Sequence, residues 1–278
     1  MRFGLIGAGR VGTAFAYWLQ RAHYSVVGIC DTRAAALSRA EKVLHRRVRM
    51  PLDRLVEMSA ILLVATPDSV IPQIARRIGK AVRSGTTVFH FSGALGPRIL
   101  KRSGISQGVI HPLAAFPDYQ AYRKMKNCYF SVSGDPKAVH TAQRFLHGMG
   151  MKCFVLKSRD RRFYHLASVF TSNLLVALLA IARQLGLRSG IDEKAFMTYF
   201  EPLLSGQVRD IRKRGLEKAL SGPVKRGDLK TIVAHRRALR GLGGDYLKIY
   251  DLLSRELLAL SPLRGRPRIL LEKMLHED

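Results

Sequence analysis

Up to about residue 156, short continuous apolar runs alternate with segments whose apolar positions recur every three to four residues. That alternation is the signature of buried parallel strands connected by amphipathic helices. The runs Phe3 to Ile6, Ser25 to Cys30, Ala60 to Ala65, Thr86 to Phe91, Gln107 to Ile110, Tyr129 to Val132 and Lys152 to Val155 predict strands. Helices are predicted at Val11 to Leu19, Thr32 to Leu44, Ser69 to Val82 and Pro136 to Gly148. From about Lys157 the strand signal stops. Helical spacing then covers Arg161 to Leu185, Asp192 to Arg214, Asp228 to Leu239, Gly244 to Leu260 and Pro267 to Leu275, with a break marked by Gly222-Pro223 and Gly227. The pattern predicts an α/β doubly wound parallel sheet over residues 1–156, followed by an all-α C-terminal domain over 157–278.

The first predicted strand runs straight into Gly7-Ala8-Gly9-Arg10-Val11-Gly12 and then a helix. In that setting Gly7 allows the tight turn, Gly9 lets backbone approach a pyrophosphate, and Gly12 lets the helix close on the strand. The second strand ends in Asp31, 19 residues beyond Gly12, where a ribose-binding carboxylate is expected. Asp31 favours NAD; Arg33, two residues on, could instead meet a 2′-phosphate, so NADP stays open. The expected cofactor contacts are Gly7, Gly9, Arg10, Val11, Gly12, Asp31, Arg33, Thr66 and Pro67. Thr66-Pro67-Asp68 is equally readable as a helix start.

In open α/β sheets ligands gather at the carboxyl ends of the strands, which here adds Ser92-Gly93 and His111-Pro112. His111 suits proton transfer, since imidazole donates or accepts near neutral pH, and Ser92 could orient the same substrate. The competing assignment for His111 is a plain loop residue before Pro112. In the helical half, His165 and Ser172 fall within about 20° of each other on a helical wheel, with Asn173 towards the same side. They could line a substrate cleft or form a satisfied helix contact. Lys225 and Arg226, on the turn before Asp228 and His235, suit an anionic group, while Asp228 also reads as a helix N-cap.

Composition narrows the class. A 278-residue chain that is 47% hydrophobic supports two folded domains. Cys30, Cys128 and Cys153 lack metal-ligand spacing and fit a reducing cytoplasm, and a strand at the very start leaves no room for a signal peptide. The most apolar stretch, Leu166 to Ala182, is interrupted by Ser168, Thr171, Ser172 and Asn173, which argues for a buried helix and against a membrane span. Being apolar around its circumference, it is expected to be covered partly by a second copy, giving a homodimer through the helical half. The net charge of +27 comes in scattered groups such as Arg46, Arg47, Arg49 and Arg159, Arg161, Arg162. No helix-turn-helix or zinc pattern accompanies them, so a solvated surface that attracts anions is expected rather than nucleic-acid binding.

The segments GAGRVG, VATPD, FHFSGAL, VIHPL, FYHLASVFTSNLLVALL and SGPVKRGDLKTIVAH resemble a family of NAD(P)-binding oxidoreductases. Its members have a Rossmann-like N-terminal domain and a C-terminal helical domain of unknown function. The resemblance spans nearly the whole chain. It implies a helical domain similar to those of 6-phosphogluconate dehydrogenase and pyrroline-5-carboxylate reductase, which dimerise, and it marks His111, His165, Asn173, Arg226, Asp228 and His235. Asp31-Thr32-Arg33 stands where the family often carries Ser-Arg. A more distant similarity to prephenate dehydrogenases rests on Ser92 and His111, but Leu113-Ala114-Ala115-Phe116 replaces the sequence usual there, which argues against prephenate. The expectation is an oxidoreductase moving hydride between NAD or NADP and a small, anionic substrate in the interdomain cleft. Ser92 and Asn173 would orient substrate, His165, Arg226, Asp228 and His235 would bind it, and His111 would exchange the proton. The rival is a non-catalytic NAD(P)-sensing protein on the same fold.

Overall fold

The computed structural model describes residues 1–99, 104–114, 116, 118–157 and 161–276; Ala115 and Arg159, named above, fall outside them. Strands β1 (Arg2–Ile6), β2 (Ser25–Cys30), β3 (Ile61–Val64), β4 (Thr87–His90), β5 (Ser106–Pro112), β6 (Tyr129–Gly134) and β7 (Lys152–Val155) form one sheet in the order β2-β1-β3-β4-β5-β6-β7. β1 to β5 are mutually parallel, whereas β6 runs antiparallel to β5 and β7 parallel to β6. The turnaround is a departure from an all-parallel sheet. Apolar runs buried on both faces do not encode direction, so the pattern could not show it.

Helices α1 (Arg10–Arg21), α2 (Ala34–Leu44), α3 (Leu52–Met58), α4 (Ile71–Ile78) and α5 (Pro136–Gly148) cover the sheet. Alternate strand residues serve two cores. Phe3, Leu5, Ile61 and Leu63 join Phe15 and Leu19 of α1 and Phe145 of α5 on one face. Ile6, Leu62 and Val64 join Leu55 of α3 and Ile71 and Ile78 of α4 on the other. Each fully buried large side chain contributes roughly 1.5–3 kcal/mol, so the sheet positions its carboxyl edge firmly. α3 and a 3₁₀ segment, Tyr119–Asn127, are additions to the predicted elements.

The helical half contains α6 (Arg161–Thr171), α7 (Asn173–Arg188), α8 (Glu193–Arg214), the single turns α9 (Leu216–Ala219) and α10 (Pro223–Arg226), α11 (Leu229–Arg240), α12 (Tyr246–Leu260) and α13 (Arg266–His276). The predicted helix Arg161 to Leu185 is thus two helices. Asp192 and Asp228 are N-caps, accepting backbone N–H donors of α8 and α11. Two compact units result, Met1–Leu175 and Val176–Asp278. The division falls after residue 156 because α6 packs with the sheet. The second unit has its own small core of Val224, Ile232, Leu258, Leu271 and Leu275, and Arg236 and Asp251 form a buried ion pair at 3.1 Å.

Candidate functional site

The glycine turn joins β1 to α1 as its sequence requires. Gly7 has φ +110°, a conformation only glycine adopts without strain, and any side chain there would strike the Ala65 carbonyl. A side chain on Gly12 would collide with the Gly7 carbonyl oxygen, whereas one on Gly9 would meet only the Ala65 oxygen, at 3.9 Å. The turn therefore leaves open space at the position where a pyrophosphate would approach. Arg10 opens α1 and donates from Nη1 to the Phe116 carbonyl at 2.9 Å, and Val11 packs against the core.

A cavity of about 330 Å³ lies beside this turn, lined by Gly7, Asp31, Arg33, Thr66, Pro67, Ile74 and Arg77 among others. Asp31 accepts the Ala8 N–H at 2.7 Å and the Arg33 N–H at 2.8 Å, and the Arg33 Nε lies 3.4 Å away. Burial works to raise the Asp31 pKa, but these donors together hold it below the ordinary value. The Thr66 hydroxyl is buried without a hydrogen-bond partner. A buried orphan hydroxyl facing a cavity is a ready contact for a ligand amide or phosphate. These residues fit a dinucleotide.

The second cavity, about 500 Å³, is lined by His111, Pro112, Leu113, Ala114, His165, Ser168, Val169, Thr171, Ser172 and Asn173. It brings together His111, His165 and Asn173, which are far apart in sequence. β5 places His111 at the same sheet edge as Gly7 and Asp31, and its Nδ1 lies 2.7 Å from the Tyr164 hydroxyl. A Cβ on Gly93 would lie 2.6 Å from His165 Nδ1 and 2.9 Å from His111 Nε2, so both ring nitrogens converge over this glycine. His165 Nδ1 is itself buried and unpartnered. The two rings thus wall one slot of the cavity beside Gly93.

Arg161 is the residue that pattern reading misses. It is 2% exposed, donating to Ser133 Oγ at 3.0 Å and to the carbonyls of Ser92 at 2.7 Å and Gly93 at 3.1 Å. Inside the basic run Arg159 to Arg162 nothing marks it as the buried member. Burial first, then the Arg161 and His165 charges, lower the His111 pKa to about 4, against a smaller opposing effect of Asp68. His111 is thus a neutral imidazole at physiological pH.

Ser92 stands behind the slot. Its hydroxyl donates to Asp68 Oδ2 at 2.6 Å and accepts the N–H groups of Ala94 and Leu95, so its bonding capacity is spent within the chain. Asn173 Oδ1 accepts from Ser172 Oγ at 3.0 Å. The remaining expected residues belong to the second unit. Asp228 accepts from the Thr231 N–H and hydroxyl, His235 Nδ1 meets the Tyr250 hydroxyl at 3.0 Å, and Arg226 is 4.0 Å from Asp228. Among the described residues no cluster of His, Cys, Asp or Glu is arranged to hold a metal.

Glycine turn, parallel sheet and acidic end of β2 define a dinucleotide-binding class of fold. Residues 1–117 match the Rossmann-like domain and residues 128–257 match a domain of unknown function, DUF2520. The chain combines these two domains, the pairing its motifs resemble. No curated protein matches it by sequence. Among solved structures, a Thermotoga maritima protein is 25% identical with a TM-score of 0.74, the match covering 93% of this chain and 98% of that one. A putative NADP oxidoreductase from Bacteroides fragilis is 21% identical with a TM-score of 0.75 over the same shares. A semialdehyde dehydrogenase NAD-binding protein from Cupriavidus necator, solved with calcium and NAD, is 18% identical with a TM-score of 0.63, covering 94% of this chain and 99% of that one. At the two lower identities the likeness is one of fold.

Proposed function

We propose that this protein is an NAD(P)-dependent oxidoreductase acting on a small, anionic substrate held in the cavity of His111, His165 and Asn173. The observation that carries the reading is the convergence of two imidazole nitrogens on Gly93, at the same sheet edge as a glycine turn with open space above Gly9. Gly7 to Gly12, Asp31 and Thr66 would hold the cofactor, which when bound supplies or accepts the hydride. The chain's own part is proton handling and orientation. His111 presents Nε2 to the slot while Tyr164 occupies Nδ1, which fixes ring orientation and couples the tautomer to the tyrosine proton. With Tyr164 donating, Nε2 carries a proton and can give it to a developing alkoxide or amide as Nδ1 takes up the tyrosine proton. With the roles reversed, Nε2 is the base that removes a proton as hydride leaves. His165 shares the same substrate atom, and Asn173 and Ser172 orient the remainder from the cavity wall. The buried Arg161 cation favours an anionic substrate over a cationic one.

The cofactor reading is tested by Gly9→Val. Among the described residues the nearest atom to a Cβ at this position, chain neighbours aside, is the Ala65 oxygen at 3.9 Å, so the variant should fold normally and lose NADPH and NADH binding by fluorescence titration. Unchanged affinity for both would remove the site from the turn.

We also propose a homodimer. The most apolar 18-residue window of the segment Arg161–Arg188 has mean hydropathy 1.8, and none of it is buried within the chain. Phe163 (77%), Phe170 (65%) and Val176 (67%) are exposed there, and Leu203 (68%) on α8. By length and composition alone the segment could cross a membrane, but Ser168, Thr171, Ser172 and Asn173 near its middle favour a protein partner. A second copy presenting the same face satisfies both. Light scattering should give twice 31.1 kDa. A monomer in aqueous buffer would overturn this, as would recovery only in detergent, the latter pointing to a bilayer.

A further inference from the structure

Asp31 at the end of β2 reads by position as a ribose-diol acceptor and hence as a mark of NAD. Its environment leaves little of the carboxylate for that role. The side chain is only 7% exposed, and both oxygens are engaged, Oδ2 by the Ala8 N–H and Oδ1 by Arg33. Asp31 acts as a brace that ties the glycine turn to the start of the β2–α2 loop. What remains presented at this end of the cavity is cationic. Arg33 is bound to Asp31 through its backbone N–H and Nε, and its side chain is 64% exposed.

A second cation lines the same cavity. Val70, Ile74 and Arg77 are spaced four and three residues apart, so they lie on one face of the segment that enters α4, and all three line the cavity. Val70 and Ile74, with Leu52 and Pro67, give an apolar slot suited to a flat base. Arg77 lies one turn further out. It is close enough to the end of β2 to act on the Cys30 thiol, the residue just before Asp31. Asp53 also acts on Cys30 but does not line the cavity. Among the described residues no carboxylate lies within ion-pair distance of Arg77. Two guanidinium groups therefore line the cavity near the end of β2, and Asp31, the carboxylate that lines it, is already paired with Arg33.

We infer that Arg33 and Arg77 form a clamp for the 2′-phosphate of NADP, with Asp31 bracing Arg33 instead of binding a ribose diol. This rests on the cofactor reading above and specifies which cofactor that site takes. Guanidinium groups match phosphate oxygens in geometry and keep their charge at any working pH. Arg77 stands 46 residues from Asp31 in the chain, so the motif that identifies the turn carries no trace of it.

The test is fluorescence titration of the full-length protein with NADPH and with NADH, together with competition by adenosine 2′,5′-bisphosphate and adenosine 5′-monophosphate. NADPH should bind at least about 10-fold more tightly than NADH, and the bisphosphate should outcompete the monophosphate by a similar factor. Arg77→Ala and Arg33→Ala should each weaken NADPH about 10-fold or more while moving NADH less than about 2-fold, and Arg77→Lys should retain part of the preference. Both side chains are exposed, so unchanged circular-dichroism melting is expected and would show that the losses are local. Equal affinity of the wild type for the two cofactors overturns the clamp and leaves the cofactor reading standing. An equal loss of both cofactors in Arg77→Ala also overturns it, placing Arg77 on the adenine. Failure of the wild type to bind either cofactor overturns the cofactor reading itself, and the clamp with it.

Discussion

Replacing Arg161 with methionine should lower the unfolding free energy by roughly 2–4 kcal/mol and raise the pKa of His111 at the same time. The guanidinium is the link between α6 and the ends of β4 and β6, and its removal strands two carbonyls and the Ser133 hydroxyl away from water. A charged donor to a buried acceptor is worth about 1.5–3 kcal/mol, and part of that returns because the cation no longer has to be desolvated. Chemical denaturation measures the first effect. The second follows from electrostatics, since Arg161 is the largest charge contribution holding His111 down. Histidine titration by NMR should place the folded His111 value nearer the ordinary 6.5 in the variant than in the wild type, where it is about 4. Wild-type stability in Arg161→Met would show that α6 is held by its apolar contacts alone.

The larger kinetic effect is expected at His111. With a substrate in hand, His111→Asn should bind NADPH and NADH as the wild type does while turnover falls roughly 10²- to 10⁴-fold. Asparagine keeps a polar side chain near the slot but cannot exchange a proton. Gly93→Ala should show a comparable loss for a steric reason, because the methyl group would occupy the point on which both rings converge. The pH dependence has a definite sign. His111 titrates near 4, below its unperturbed 6.5, so it is neutral across pH 5–8 and the wild-type rate should not change through its titration in that range. The rate should fall only as pH drops through about 4, where the neutral form is lost. A rate that instead declines below pH 6.5 would assign the proton to a normally titrating group, and full activity of His111→Asn would leave the residue a purely structural role.

Much of the cofactor half was legible in the chain. Seven apolar runs became seven strands, and the run Gly7 to Gly12 fell between β1 and α1, because a buried strand, a tight turn and a helix each impose a local residue pattern. Asp228 was readable as a cap for the same reason, since a cap acts within three residues. His111 and Asn173 were singled out through the rule that ligands gather at strand carboxyl ends and through helical periodicity, and both line one cavity.

Where the reading stopped, the deciding contacts join residues distant in sequence. Arg161 and Arg162 are the same residue type side by side; one is buried because the carbonyls of Ser92 and Gly93 wait for it 69 and 68 positions away. That contact also ties the start of α6 to the sheet within the first compact unit, Met1–Leu175. Strand direction is equally nonlocal. A run of apolar residues buries equally well either way round, and only its neighbour decides that β6 opposes β5. Asp31 shows the same division at a single residue. Its position was determined by the sequence, but its occupation by Ala8 and Arg33, and the presence of Arg77 in the same cavity, came from tertiary structure. By itself the sequence determined the elements, their caps and the glycine turn, because these depend on forces acting over a few residues. The tertiary structure alone decided which charges are buried, which acceptors are already spent and which side chains share a cavity, because burial and pairing are properties of packed segments that meet only in the folded chain.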